Sequence, residues 1–199
     1  MTEIWAVQLQ HSLTPEQARL AKTVLPPERR ERMDRSKHGE EPLCAYVALQ
    51  VALWKTAGLR KMPKISISQG GKPFFPENPE ICFNLSHTGG AVLAGVSALE
   101  LGVDIEKIRP MKPAVMQRLS HETRLDDFFQ NWVRREAVAK RDGSGFRSLM
   151  KSEIPEDAFY RAFEPFPGYA AGAAMRESAA FVLHCCTAQE LLEELAEIL

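Results

Sequence analysis

"LGVDIEKIRP", residues 101–110, sets Asp104 and Glu106 on either side of Ile105 in an otherwise apolar run. Successive residues of a strand point to opposite faces, so the two acids share one face while Val103 and Ile105 share the other. The apolar pair can pack against a core. Two carboxylates that close repel unless something positive lies between them, and a lysine, an arginine or a metal ion would serve. The stretch predicts a half-buried strand whose acidic face meets a cation.

Outward from it, the hydrophobic period changes twice. "ICFNLSH" and "AVLAGVSA" precede it as strands separated by glycine-bearing turns, after an alternating "KISIS" and a turn-rich loop, "QGGKPFFPENP". Upstream lie a first strand, "EIWAVQL", and a helix capped at Thr14 with Pro15 at its first position and Gln17 closing a capping box. A basic helical stretch follows, "PPERRERMDRSKH". A longer helix after Pro42 carries Leu43, Val47, Val51 and Trp54 on one face and ends at Gly58. Downstream, two helices run from Pro113 to about Lys140 with a break near residues 120–126. "FYRAFEPFPGYAAGAAM" and "AAFVLHCCT" read as antiparallel strands. A last helix begins at Thr187, whose capping box closes at Glu190. The fold class is α+β, in two similarly composed halves, residues 1–104 and 105–199.

The 199 residues are 45% hydrophobic and 26% charged, with a net charge of −1, so nothing global argues for nucleic acid or a membrane. No apolar run approaches the ~18–20 residues that span a bilayer. "MTEIWAVQLQ" lacks the basic start and apolar stretch of a signal peptide. Cys44, Cys82, Cys185 and Cys186 show neither metal-type nor paired spacing, which predicts reduced thiols in a cytoplasmic protein.

Four constellations could carry chemistry. Asp104 and Glu106 are the first; alone, they fit a solvated strand face or ion pairs with Lys107 or Arg109. In "NWVRREAVAKRDGSG", Trp132, Glu136 and Lys140 form a stripe at i, i+4, i+8 while Val133, Ala137 and Val138 turn inward. Glu136 and Lys140 could be a surface ion pair. Glu136 as a third carboxylate would instead complete an oxygen-rich site for a hard cation such as magnesium. "GGKPFF" offers Lys72 from a loop, and Ser86-His87-Thr88-Gly89-Gly90 ends a strand with a hydroxyl, an imidazole and free amides, a mix suited to phosphate. Ser86-His87 lacks the nucleophile elbow and acid partner of a serine hydrolase. In "ERRERMDRSKH", Arg29 and Arg32 lie about one helical turn apart and could grip one phosphate. Together these are the equipment for displacement at phosphorus in a phosphate-rich substrate.

"GGKPFF", "FNLSHT", "GVDIE" and "WVRREAVAKRDGSG", in that order, resemble the surfactin-synthetase-type 4'-phosphopantetheinyl transferases over roughly residues 70–145. The resemblance implies transfer of the phosphopantetheine arm of coenzyme A to a serine of an apo acyl or peptidyl carrier protein, releasing adenosine 3',5'-bisphosphate: a holo-carrier-protein synthase. It implies two similar α+β halves about a pseudo-twofold axis, with coenzyme A between them, and a working monomer. It assigns Asp104, Glu106 and Glu136 to Mg2+, and Lys140 to the pyrophosphate and leaving group. His87, Arg29 and Arg32 go to the adenosine 3'-phosphate, and Lys72 and Ser86 to the nucleotide.

Two departures stand out. Cys44 and Ala45 occupy the positions where the family commonly has an arginine followed by serine or threonine near the adenine. Glu122 comes one residue earlier than the family's candidate base, which leaves Glu122, a water on the cation and Glu136 open for that role. The alternative from another class is a non-catalytic coenzyme A or carrier-protein binding module. A magnesium-dependent hydrolase of small phosphoesters fits the chemistry but not the motif set.

Overall fold

The computed structural model describes residues 1–26, 29–31, 33, 39–144 and 159–199. Strand β1 (Thr2–Gln8) leads into helix α1 (Pro15–Lys22), where Thr14 and Gln17 close the expected capping box. Helix α2 (Glu40–Ala57) starts two residues before Pro42. A proline is tolerated there because first-turn N–H groups have no partner within the helix. Gly58, at φ +67°, ends α2 in the left-handed region that glycine enters without strain.

Strands β2 (Ser66–Ile67) and β3 (Pro73–Phe74) form a short ribbon, so part of the expected loop is strand. Then come β4 (Cys82–Thr88), β5 (Ala91–Ser97) and β6 (Leu101–Lys107), followed by helices α3 (Pro113–Ser120) and α4 (Leu125–Asp142). Strands β7 (Phe159–Phe163), β8 (Tyr169–Met175) and β9 (Phe181–Thr187) and helix α5 (Ala188–Ile198) complete the chain, with Thr187 and Glu190 making the second expected capping box.

The two larger sheets have the orders β4-β5-β1-β9 and β6-β8-β7. One expectation is corrected. β7 and β8 pair antiparallel, but β9 returns to the first sheet and runs parallel to β1. A strand's own alternation does not encode its pairing direction. The free edge of β1 accepts β9, which also delivers α5 against α2 (Leu191 and Leu195 into the core shared with Val47 and Val51).

The layers run helices, sheet, sheet, helix. α1, α2 and α5 cover one face of the first sheet around Trp5, Val7, Phe83 and Val96. Ile4, Ala6 and Leu93 meet Leu101, Val103 and Ile105 between the sheets. α4 covers the outer face of the second sheet through Val133, Ala137 and Val138, the inward face expected of it. One connection occurs twice: strand, 18-residue helix, hairpin, giving β4-β5-β1 from the first pass and β7-β8-β6 from the second. The expected junction at 104/105 falls inside β6.

Candidate active site

Edge strands β4 and β6 meet along a polar seam. Phe83 and Leu85 turn toward the helical core, so period two sends Asn84, Ser86 and Thr88 the other way. Each reaches β6. Asn84 Oδ1 accepts the Val103 N–H at 3.0 Å, Ser86 Oγ donates to Asp104 Oδ1 at 2.7 Å, and Thr88 Oγ1 donates to Glu106 Oε2 at 3.1 Å. Side chains thus satisfy an edge that backbone pairing leaves open. Ser86 was expected at the site. Asn84 and Thr88 were not assigned, although their every-second-residue spacing with Ser86 in "FNLSHT" was the available signal.

Helix α4 reaches this seam because of Gly102. A Cβ there would stand 2.0 Å from the Ala137 carbonyl oxygen and 2.3 Å from the Arg141 nitrogen, so only glycine lets the helix backbone lie on the strand. Gly102, Asp104 and Glu106 share that face, and the Glu136–Lys140 stripe is brought to the acids. Lys140 Nζ donates to Asp104 Oδ1 at 2.6 Å and to Ser86 Oγ at 2.9 Å. Arg109 donates to Glu106 Oε2 at 3.0 Å.

Lysine and arginine therefore both answer the acidic strand face, yet not every carboxylate oxygen on it is paired. Asp104 is 4% exposed, and its Oδ2 has no hydrogen-bond partner among the described residues. Burial pushes its carboxyl above the ordinary range, opposed by Lys140 and Ser86. Burial also raises Glu136, with Asp104 and then Glu106 adding to the rise against the pull of Lys140. Among the described residues no three acids, histidines or cysteines close into a ready-made metal cage. An oxygen-only donor set with one orphaned buried carboxylate oxygen nevertheless fits a hard divalent cation of the kind that fills its remaining positions with water and substrate phosphate.

Beside the acids, a cavity of about 290 Å³ is lined by Gly70, Lys72, Asn84, Glu136, Lys140 and Gly143, among others. The Lys72 ammonium donates to the Arg141 carbonyl, and burial lowers its pKa. His87 sits on the opposite face of β4 from Ser86, half-exposed, with Nδ1 3.2 Å from Glu41 Oε2. Arg29 lies over the Tyr46 ring of α2, 6.0 Å from its centroid, so both residues border α2. Arg32 lies outside the described residues. Glu122 pairs with Asn131 at 3.4 Å, about 7.5 Å of helix rise from Glu136. Cys44 and Ala45 are buried in the α2 core, where the Cys44 thiol is pushed up to about 12, mainly by burial.

No protein-family model matches the chain. It is 30% identical over 139 residues to 4'-phosphopantetheinyl transferase AcpT of Escherichia coli (strain K12), covering 62% of this chain and 68% of the relative. The chain belongs to the Sfp-type 4'-phosphopantetheinyl transferases. 4'-Phosphopantetheinyl transferase Sfp of Bacillus subtilis (strain 168) is 24% identical over 199 residues, which is 84% of this chain and 89% of the relative. In this transferase the motifs that carried the resemblance are the two strands of the seam, the loop bearing Lys72 and the helix laid on Gly102.

Proposed function

We propose that the protein moves the 4'-phosphopantetheine arm of coenzyme A onto a serine of an apo acyl or peptidyl carrier protein, releasing adenosine 3',5'-bisphosphate. One observation carries this reading: where α4 crosses β6, Lys140 bonds Asp104 and Glu136 feels the charges of Asp104, Lys140 and Glu106, beside a cavity that Lys72 also lines. The non-catalytic alternative is not favoured, since all three acids and the lysine are present in one place.

Asp104, Glu106 and Glu136 would hold Mg2+. Bound there, it supplies positive charge to the pyrophosphate of coenzyme A. The carrier serine oxygen bonds to the phosphorus nearest the pantetheine, and the bond from that phosphorus to the bridging oxygen breaks. Lys140, fixed by Asp104 and Ser86, stands in the cavity to offset charge on the departing phosphate. Glu136 and Glu122 are the two carboxylates proposed to take the serine proton. His87, Arg29 and Arg32 take the 3'-phosphate, and Lys72 and Ser86 orient the nucleotide.

The repeated strand–helix–hairpin connection supports two halves about a pseudo-twofold axis, with the substrate between them and one chain as the working unit. No helix among the described residues is long and apolar enough to cross a membrane. A net charge of −1 supplies no general attraction for nucleic acid, and we place the enzyme in the cytoplasm.

The test is the intact mass of an apo acyl carrier protein incubated with this protein, coenzyme A and Mg2+. A gain of one phosphopantetheine, lost in EDTA, is the expected result. No gain with several carriers, despite coenzyme A binding, would overturn the reading.

A further inference from the structure

Among the described residues, Asp104 uses one of its two oxygens. Oδ1 receives Lys140 and Ser86, while Oδ2 is buried with no hydrogen-bond partner among the described residues. A buried acceptor in that state has lost its water and gained nothing in exchange.

Directly across the strand pair stands Gly172, the register partner of Asp104. The space above this glycine is filled by Tyr160 of β7. A Cβ on Gly172 would lie 2.2 Å from the tyrosine hydroxyl oxygen and 2.5 Å from its ring. Opposed residues of antiparallel strands carry their Cβ atoms on one face, which puts the tyrosine hydroxyl on the same face of the sheet as the Asp104 side chain. The hydroxyl is itself buried with no partner among the described residues. Burial first, and then the charge of Asp104, raise the phenol pKa, so it remains a proton donor at any working pH. The Arg134 guanidinium, 5.8 Å from the ring centroid, holds the ring from the helix side. A donor without an acceptor and an acceptor without a donor thus face each other over one glycine.

We infer that Tyr160 is a positioning residue of the transfer site, its hydroxyl donating directly or through one water to one lone pair of Asp104 Oδ2 and leaving the other to the cation. The inference rests on the transferase reading of that site. Carboxylates that bind a cation are commonly held by outer hydrogen bonds, and losing one costs on the order of 10–100-fold in affinity or activity. Gly172 is then accounted for as well: a larger residue would push the hydroxyl off the carboxylate.

The experiment is calorimetric binding of coenzyme A with Mg2+ to the wild type, Tyr160→Phe and Gly172→Ala. It is paired with fluorine NMR of protein labelled with 3-fluorotyrosine. The chain has only three tyrosines, so the Tyr160 resonance is assigned by its loss in Tyr160→Phe. Expected are an affinity roughly tenfold lower in Tyr160→Phe, at least as large a loss in Gly172→Ala, and a Tyr160 resonance that moves when Mg2+ and coenzyme A are added. Circular dichroism checks that each variant folds. Wild-type affinity in Tyr160→Phe, or a resonance that does not move while the wild type binds, overturns this inference and leaves the transferase reading intact. A wild type that binds no coenzyme A with Mg2+ overturns both.

Discussion

The strand–helix pair β1/α2 and the pair β6/α4 have the same lengths and the same place in the repeated connection, yet opposite contents. Position for position along the strands, Ile4 and Ala6 match Val103 and Ile105 between the sheets. On the helix-facing side, Glu3, Trp5 and Val7 match Gly102, Asp104 and Glu106. In α2 every residue from Val47 to Leu53 is buried, because α1, α5 and the sheet surround it. α4 buries a stripe and leaves Glu136 and Lys140 facing the acids. The first unit is core, and the second has given up part of its core for charge. This teaches that the topology is indifferent to chemistry. What makes a site is an acidic strand face together with a glycine that admits the helix.

The comparison breaks most visibly at Asp104 and Glu136. Asp104→Ala or Glu136→Ala should lower transfer by at least on the order of 100-fold with the fold intact, read by intact mass of the carrier and circular dichroism. Near-normal rates in either, with magnesium still required, would mean that the second unit is not the chemical one.

Gly102→Ala should come next. Its methyl would meet helix backbone rather than a movable side chain, so we expect roughly 2 kcal/mol of destabilisation or more by urea unfolding, with weakened Mg2+-dependent coenzyme A binding. A silent Gly102→Ala would remove the close approach from the account.

The first unit should contribute binding rather than chemistry. Arg29→Ala with Arg32→Ala should raise KM for coenzyme A roughly tenfold with little change in kcat. Equal use of coenzyme A and dephospho-coenzyme A by the wild type would count against a 3'-phosphate contact.

The smallest effect sharpens the comparison in the metal-free protein. A carboxyl whose folded pKa is raised contributes stability below its unfolded value, near 4.5 for Glu136, and loses it as pH rises through the folded value. Glu136→Gln removes that titration. Its melting temperature at neutral pH in EDTA should exceed that of the wild type, by a few tenths to about 1 kcal/mol of stability, while transfer is lost. A lower melting temperature would show that Glu136 is held by more attraction than repulsion.

Much of this was legible in the chain. Periodicity located the strands around the site and the buried stripe of α4, and residues 14–17 and 187–190 announced their capping boxes because those hydrogen bonds are local. The acids of β6 and the Glu136–Lys140 stripe were visible as patterns. The direction of β9, the start of α2 and the roles of Asn84 and Thr88 were not, since each depends on what lies opposite.

By itself, then, the sequence determined the elements, the faces they present and the charged residues available, all set by steric and hydrogen-bonding rules within a few residues. Only the tertiary structure decided that two sheet edges would meet at Ser86 and Asp104, that α4 would rest its backbone on Gly102, and that Asp104 and Tyr160 would each be buried with a polar atom unpaired among the described residues. Those outcomes turn on contacts between segments up to dozens of residues apart, where packing and desolvation, not local propensity, choose the partner.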